Sequence, residues 1–559
     1  MTYRQVRKGF VPIVGALAFI GATAIGGSAN AATAAVASIT TKPGILHHMP
    51  SEPAPNGAPE AAAAQQTTIA PGIPIGAERL RKIKEGAPGP MPPGGAALAQ
   101  EADGASGPEQ QGVLLKNCNA QAAEGFAPSD SHGAVGPTNF VSISNVSIRV
   151  QNKVSCAIVS SQTLVAFFAP VGVAAGTVLF DPRAIYDRNN ARCFVTAESR
   201  LSGSNNQFQY FGVSTNSLCT SYRLYRITLS SGRFRFCKKA VSSFWDYPSA
   251  GHSRSTLRSQ TRARWFIVAN DFGSFVDGRL LDINKFPTLS GGSTVVACFT
   301  GLPFNLAPPI TLDAPTVATF LSPGSGSGSV IQRRNLNLST SGPASDTISN
   351  PGNVAITAWT APPNAAQPNG ELLDTLDGRF QSASIQSRGL LWNVKGISRS
   401  TTSGPRAAFR LYKLSQAGAL QMQLTLITNT VDNIFNPSFA TGSGAFNAPG
   451  FLTVTRTIPT LSTGRAATLM FSGLNSSTSG ADWSFNTLVT SPSQFTGCGS
   501  GCRWGDYSAT QVDPSGSGRA WGWNQFITGP TQFNWQMRVG QVELNLSTAP
   551  VAAAAAAAD

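Results

Sequence analysis

Residues 378–428 read GRFQSASIQSRGLLWNVKGISRSTTSGPRAAFRLYKLSQAGALQMQLTLIT. Four short runs stand out: FQSASIQ, LLWNVKG, AAFRLYKL and MQLTLIT, separated by Gly, Ser and Pro. Alternation at period two, with β-branched and aromatic residues, marks half-buried strands. FQSASIQ is expected as the inner strand of a small sheet, LLWNVKG as the second, AAFRLYKL as the third and MQLTLIT as the outer edge.

The same texture fills residues 112–546, as in FVSISNVSIRV (140–150), RCFVTAES (192–199), RWFIVANDF (264–272), FLTVTRTI (451–458) and NWQMRVGQVEL (534–544). Convincing amphipathic helices are missing, so this region is expected to be all-β. It is too large for one ordinary sandwich, which leaves several domains or one repetitive fold. A period decides between them. An Asp or Asn beside a small residue or proline, then a turn, then an aromatic strand, recurs from Asp130 through Asp181, Asp246, Asp313, Asp377, Asn436 and Asp506. The steps are 51, 65, 67, 64, 59 and 70 residues. That repeat predicts a seven-bladed β-propeller rather than a string of immunoglobulin-like sandwiches. The last unit runs short of an outer strand, and GVLLKNCNA (112–120) has no unit of its own. The N-terminal strand is therefore expected to complete the last blade, pairing near residues 534–544 and removing an exposed edge.

In a propeller the starts of the inner strands gather on one face. Far-separated residues then converge there: His132, Asp181, Arg183, Asp246, Tyr247, Asp313, Asp377, Arg379, Asp506 and Tyr507. Asp181, Asp246 and Asp506 are candidate catalytic carboxylates, since glycoside cleavage needs a pair of acids. His132, Arg183, Tyr247, Asp313, Arg379, Tyr507 and Trp504 are candidate ligand-binding residues, an Arg being suited to anionic sugars. The competing interpretation is that each Asp caps its own turn through backbone N–H groups. Recurrence favours the cap, because a catalytic residue is needed once. The tryptophans Trp504, Trp521, Trp523 and Trp535 offer a sugar-stacking platform, but Trp521 and Trp523 share one strand face and packing explains them more cheaply.

The segments GDYSATQVDPSG…RAWGWNQF, DYPSAG…RWFIVAND and DPRAIYD…ARCFVTAES resemble the blade pattern of secreted bacterial propellers grouped with sialidases and sialidase-like repeat proteins. The resemblance covers about residues 112–546 and implies a propeller; the sialidase activity does not carry over. The Ser-x-Asp-x-Gly-x-x-Trp box is absent, SGADWSF (479–485) having the wrong spacing, and the Arg-Ile-Pro sequence is absent too. No motif supports an arginine cluster of Arg183, Arg379 and Arg519.

Other chemistries are poorly served. Two of the four His (His47, His48, His132, His252) fall in a low-complexity stretch, no Gly-x-Ser-x-Gly elbow occurs, and GSGSGS (324–329) is a hairpin tip rather than a phosphate cradle. No cofactor is expected; calcium is the one ion that carboxylates and carbonyls at blade turns would suit, although no Asp-x-Asp-x-Asp loop is present.

The N-terminus gives an address. Arg4, Arg7 and Lys8 precede a mostly apolar Phe10–Ile25 and a small-residue Ala29-Asn30-Ala31, the layout of a secretory signal peptide over 1–31. The formal charge of +14 falls to +11 when those three cations leave. With charged residues at 12% and no dense basic run, nucleic acid is a poor partner. No apolar run is long enough to span a membrane. Eight Cys in an exported chain point to disulfides, Cys498–Cys502 in CGSGC being the clearest pair. Residues 32–111 are rich in Ala, Pro and Gly and are expected to be a disordered linker or pro-segment, and 547–559 a disordered tail.

The expectation from sequence is thus a secreted or periplasmic, monomeric propeller. It would serve as a binding or scaffold module for a glycan, a cell-envelope component or an extracellular protein. The alternative is a glycoside hydrolase or lyase working through blade-start carboxylates.

Overall fold

The computed structural model describes residues 33–51, 68–69, 102–104 and 112–544, apart from short gaps at 124, 202, 233, 256–260, 274–275, 429–430, 446–447, 460–465, 477–482, 499–500 and 517. The expected signal peptide (1–31) and tail (547–559) lie outside the described residues, as does most of 52–111.

Strands dominate, and they run as antiparallel meanders in chain order. Ser384–Ser387, Leu390–Arg399, Arg406–Ser415 and Leu420–Leu426 form the unit read first in the sequence, with Leu390 opposite Ser415 and Phe409 opposite Leu426. Short loops join consecutive strands, so each unit folds on itself and buries its faces against the units before and after. The hydrophobic clusters accordingly sit between units. One joins Val141, Ile148 and Val150 to Val195, Tyr210 and Leu224; another joins Trp392 and Phe409 to Leu452, Phe471 and Trp483.

The arrangement closes into a ring. In the last unit Ala509–Val512, Arg519–Ile527 and Trp535–Leu544 are followed in the sheet by Gly112–Ala122 from the start of the domain. Val113 stands opposite Glu543 and Leu114 opposite Val542. Gln511 donates to the carbonyls of Gly133 (3.1 Å) and Ala184 (3.1 Å), tying the last inner strand to those of the first two units. This is an all-β propeller.

The blade count departs from the expected seven. Five blades stand as separate sheets of four to six strands, while the meanders 244–302 and 384–426 belong to one eleven-stranded sheet. The join is Pro309–Thr311, which pairs in parallel with His252 on one side and with Ser384–Gln386 on the other. Its cause is local. Ala307 bridges Leu321 in the ordinary way, but Pro308 and Pro309 then lack the N–H groups that would continue that ladder. Gly251 permits the crossing, because a Cβ there would lie 2.4 Å from the Pro309 carbonyl oxygen.

A second departure lies at the N-terminus. Residues 33–51 were expected in a disordered linker, yet they form strands along the outer edges of successive units. Thr33–Ala34 pairs with Thr347–Ile348, Ala37–Thr40 with Val295–Cys298, and Ile45–His48 with Ser221–Leu224. Ser51 bridges Ser160. Of the rest of 32–111, Thr68–Ile69 pairs with Phe126–Ala127 and Ala102–Gly104 with Leu424–Leu426.

All eight cysteines are paired: Cys118–Cys156, Cys193–Cys219, Cys237–Cys298 and the expected Cys498–Cys502. Among the described residues no helix is long and apolar enough to cross a membrane.

Candidate functional site

The starts of the inner strands share one backbone device. In three units the ladder between first and second strands skips two residues: 181–182 after Phe180, 247–248 after Asp246, and 436–437 after Phe435. The first skipped residue has a left-handed backbone, φ being 48° at Asp181, 59° at Tyr247 and 56° at Asn436. The second is proline each time (Pro182, Pro248, Pro437), tolerable because a bulge needs no ladder donor. Asp130, with φ of 47°, has the same conformation at the start of the first unit. Asn and Asp enter the left-handed region readily, which accounts for their recurrence. The structure corrects the sequence alignment here. Tyr247, not Asp246, is the counterpart of Asp181 and Asn436.

Several of these residues bond to backbone, but mostly in other units; of Asp130, Asn436 and Asp377 only Asp377 caps its own turn. Asp130 accepts the Asp506 N–H at 2.6 Å and the Asn145 side chain at 2.5 Å. Asn145 in turn accepts the Asp181 N–H at 2.8 Å, and Asn436 donates to the Gly505 carbonyl at 2.9 Å. Asp377 accepts the Arg379 N–H and holds its guanidinium through bonds of 2.8 and 3.0 Å.

Other side chains cross the channel. Arg183 donates through Nε to the Pro248 carbonyl (2.8 Å) and through Nη1 to that of Gln381 (3.0 Å). Its guanidinium lies 3.3 Å over the Tyr507 ring. Tyr507 donates to the Pro182 carbonyl at 2.8 Å, and Gln381 to that of Asp506 at 2.7 Å. Arg379 lies 4.2 Å over Tyr247, whose ring meets Tyr507 edge-on at 6.3 Å. His132 is buried, accepts the Ala184 N–H at 3.2 Å and touches the edge of Tyr507. Burial, reinforced by Arg183, holds its imidazole neutral. His132, Arg183, Tyr247, Arg379 and Tyr507 thus form a packed brace across the channel.

The three candidate carboxylates divide. Asp181 and Asp246 join Glu198, with one oxygen from each within 4.8 Å of the others. Their relative exposures are 5%, 6% and 0%. Burial raises all three above the ordinary carboxylate range, and the charges of Asp130 and Asp246 add to this at Asp181. Asp506 stands apart at the rim, its side chain 17% exposed and 3.8 Å from Arg503. Burial and the Asp130 charge push Asp506 up to about 7, against the pull of Arg503.

Two expected members are elsewhere. Asp313 caps the Arg388 N–H at 2.5 Å, in the hairpin turn beyond the far end of the inner strand Ser384–Ser387. Trp504 is buried against Phe435 and Phe495, and Trp521, Trp523 and Trp535 are buried as well. No tryptophan among these four offers a face to a sugar. Arg519 pairs with Glu543 at 2.8 Å on the outside and joins no arginine cluster with Arg183 and Arg379. Sequence reasoning missed Glu198. The signal was a carboxylate closing the apolar strand RCFVTAES, where a neutral residue would be cheaper to bury.

The raised Asp506 dictates a pH response. From about pH 4 to about pH 7 the unfolded chain has released the proton that folded Asp506 still holds, so stability falls as pH rises through this window. Asp506→Asn removes that site. Its denaturation midpoint, compared with the parent at pH 4.5, 6 and 7.5, should show a shallower decline; an unchanged slope would refute the assignment.

No protein-family model and no curated protein sequence matches the chain. Solved structures similar to it include the WD40 domain of SCAP from fission yeast, at 10% identity over 78% of this chain and 98% of that one, with a TM-score of 0.33. The phage phi92 endosialidase aligns at 9% identity over 78% of this chain and 69% of that one, with a TM-score of 0.36. A GH43 endo-arabinanase from Bacillus licheniformis aligns at 10% identity over 55% and 92%, with a TM-score of 0.25. At such scores the likeness carries no argument about activity. The propeller arrangement rests on the strand ladders themselves.

Proposed function

We propose that this chain is an exported binding module, secreted or periplasmic, that recognises an anionic glycan or cell-envelope component at the rim where the inner strands begin. The carrying observation is the commitment of the blade-start side chains to one another. Arg183, Tyr507 and Gln381 brace the channel, and Asp181, Glu198 and Asp246 are too deeply buried to flank a glycosidic bond with a water between them. Polar chemistry that does reach solvent at this end includes the Arg503–Asp506 pair, with side chains 30% and 17% exposed. A guanidinium there suits a carboxylate, sulfate or phosphate on the ligand. Four disulfides accord with an oxidising compartment. The sialidase-like resemblance and a monomeric state belong to the same proposal.

The second reading, a glycoside hydrolase using Asp181, Asp246 or Asp506, is separated by one experiment. The mature chain is screened on a glycan array, and every hit is then assayed for release of reducing ends. Binding without turnover is expected, with Arg503→Ala weakening an anionic hit about tenfold, or ~1.4 kcal/mol. Turnover that disappears in Asp506→Asn would replace the module with an enzyme.

A further inference from the structure

The cluster of Asp181, Glu198 and Asp246 is unlike the other blade-start groups, because three buried carboxylates meet there and Arg183, Arg379 and Arg503 offset their charge only in part. Glu198 lies opposite Phe180, the residue before the bulge, on the second strand of its unit. In the next unit the matching position is Asn270, which exchanges hydrogen bonds with Asn305 at 3.1 and 2.9 Å. The chain thus replaces a paired neutral amide by a carboxylate. Glu198 is fully buried, aimed at Asp181 and Asp246, and its oxygens find no hydrogen-bond partner beyond the carboxyl of Asp246. Arg183 is close enough to be felt by Asp181 and Glu198, but its donors go to the Pro248 and Gln381 carbonyls and it makes no ion pair with the acids. Lys239, the other cation near Glu198, donates to the carbonyls of Ala240 and Ser243.

Three carboxylates this close cannot all carry bare charge out of water; like charges repel strongly, and each unpaired buried ion costs several kcal/mol. One proton shared between Glu198 and Asp246 would serve a single Glu198 oxygen and leave the other, with Asp181, unserved. A cation bound by both Glu198 oxygens serves all three residues. We propose that Asp181, Glu198 and Asp246 form a calcium site in the channel wall, tying the second and third strand units together beneath the Arg183 brace. Calcium takes oxygen ligands at about 2.3–2.6 Å, so oxygens on opposite sides of one ion lie roughly 5 Å apart, the scale of this cluster. Three carboxylates supply up to six oxygens, within the six to eight that calcium prefers, whereas magnesium keeps several waters that a site so buried gives little room for. The inference is independent of what the rim binds.

The test uses the mature chain, as purified and after unfolding in EDTA and refolding. Elemental analysis should find one calcium per chain as purified. The stripped protein should gain about 3–8 °C in Tm with 1 mM calcium. Terbium should replace the ion and luminesce on tryptophan excitation, since Trp245 directly precedes Asp246. Glu198→Gln should bind no metal and ignore calcium, while melting without it at or above the stripped parent, because it no longer buries that charge. Where refolding fails, the metal content of parent and Glu198→Gln as purified decides. A metal-free parent whose Tm ignores calcium carries a shared proton instead and overturns the site. A Glu198→Gln variant that responds as the parent does overturns it as well.

Discussion

Removing residues 33–51 from the mature protein is expected to lower its denaturation midpoint and make it self-associate. The segment lies antiparallel on outer strands of four units in turn, at 347–348, 295–298, 221–224 and Ser160. An outer strand without it presents unpaired N–H and C=O groups, a template for pairing with another chain. The segment also packs side chains into the body. Met49 is buried in the first inter-unit cluster, while Ala37 and Ile39 cover the second. Full burial of one such large side chain is worth about 1.5–3 kcal/mol, part of which offsets the entropy of ordering the segment. A net loss of roughly 2–4 kcal/mol is expected on that basis. Light scattering should report oligomers, and urea denaturation an earlier midpoint. Gly44→Val should act in the same direction in the full chain, because a Cβ at 44 would lie 2.5 Å from the Tyr225 ring. A truncated protein that stays monomeric with an unchanged midpoint would show that the strap is ornamental.

That strap also marks where sequence reasoning stopped. Edge pairing is made by backbone groups and needs little hydrophobic pattern, so an Ala-rich stretch gave weak notice of it. The meanders were legible, because FQSASIQ, LLWNVKG, AAFRLYKL and MQLTLIT alternate at the strand period and map onto four consecutive strands. Ring closure was legible from a spare strand at the start of the domain and a missing outer strand at its end. The fused eleven-stranded sheet was not, since it turns on Pro308–Pro309 diverting one short strand between its neighbours. At the site, the recurring Asp and Asn were visible, but the two-residue skip in the ladder hid that Tyr247 occupies the equivalent position. Glu198 was hidden for a related reason. Only strand register brings it to Asp181 and, across the unit boundary, to Asp246.

Arg183→Met is expected to cost about 3–5 kcal/mol, because two buried carbonyls each lose a charged donor worth roughly 1.5–3 kcal/mol. Arg183 is 1% exposed and engages three other units at once: the Pro248 carbonyl, the Gln381 carbonyl and the Tyr507 ring. Methionine keeps much of the side chain's length and packing. It leaves two carbonyl oxygens without these donors and takes away a cation beside Asp181 and Glu198. Arg183→Lys retains the charge but not the planar fork, so it cannot bond two carbonyls while stacking on Tyr507, and it should recover less than half of the loss. Urea denaturation of the three proteins measures this, with near-UV circular dichroism confirming that the aromatic brace is intact before unfolding. A methionine variant within about 1 kcal/mol of the parent would mean that the cross-channel bonds contribute no more than ordinary surface contacts. Calcium gives the comparison a second axis. With Arg183 gone, the three carboxylates depend more on a bound cation, so added calcium should narrow the gap between the methionine variant and the parent. A gap that calcium leaves unchanged would separate the brace from the carboxylate cluster beneath it.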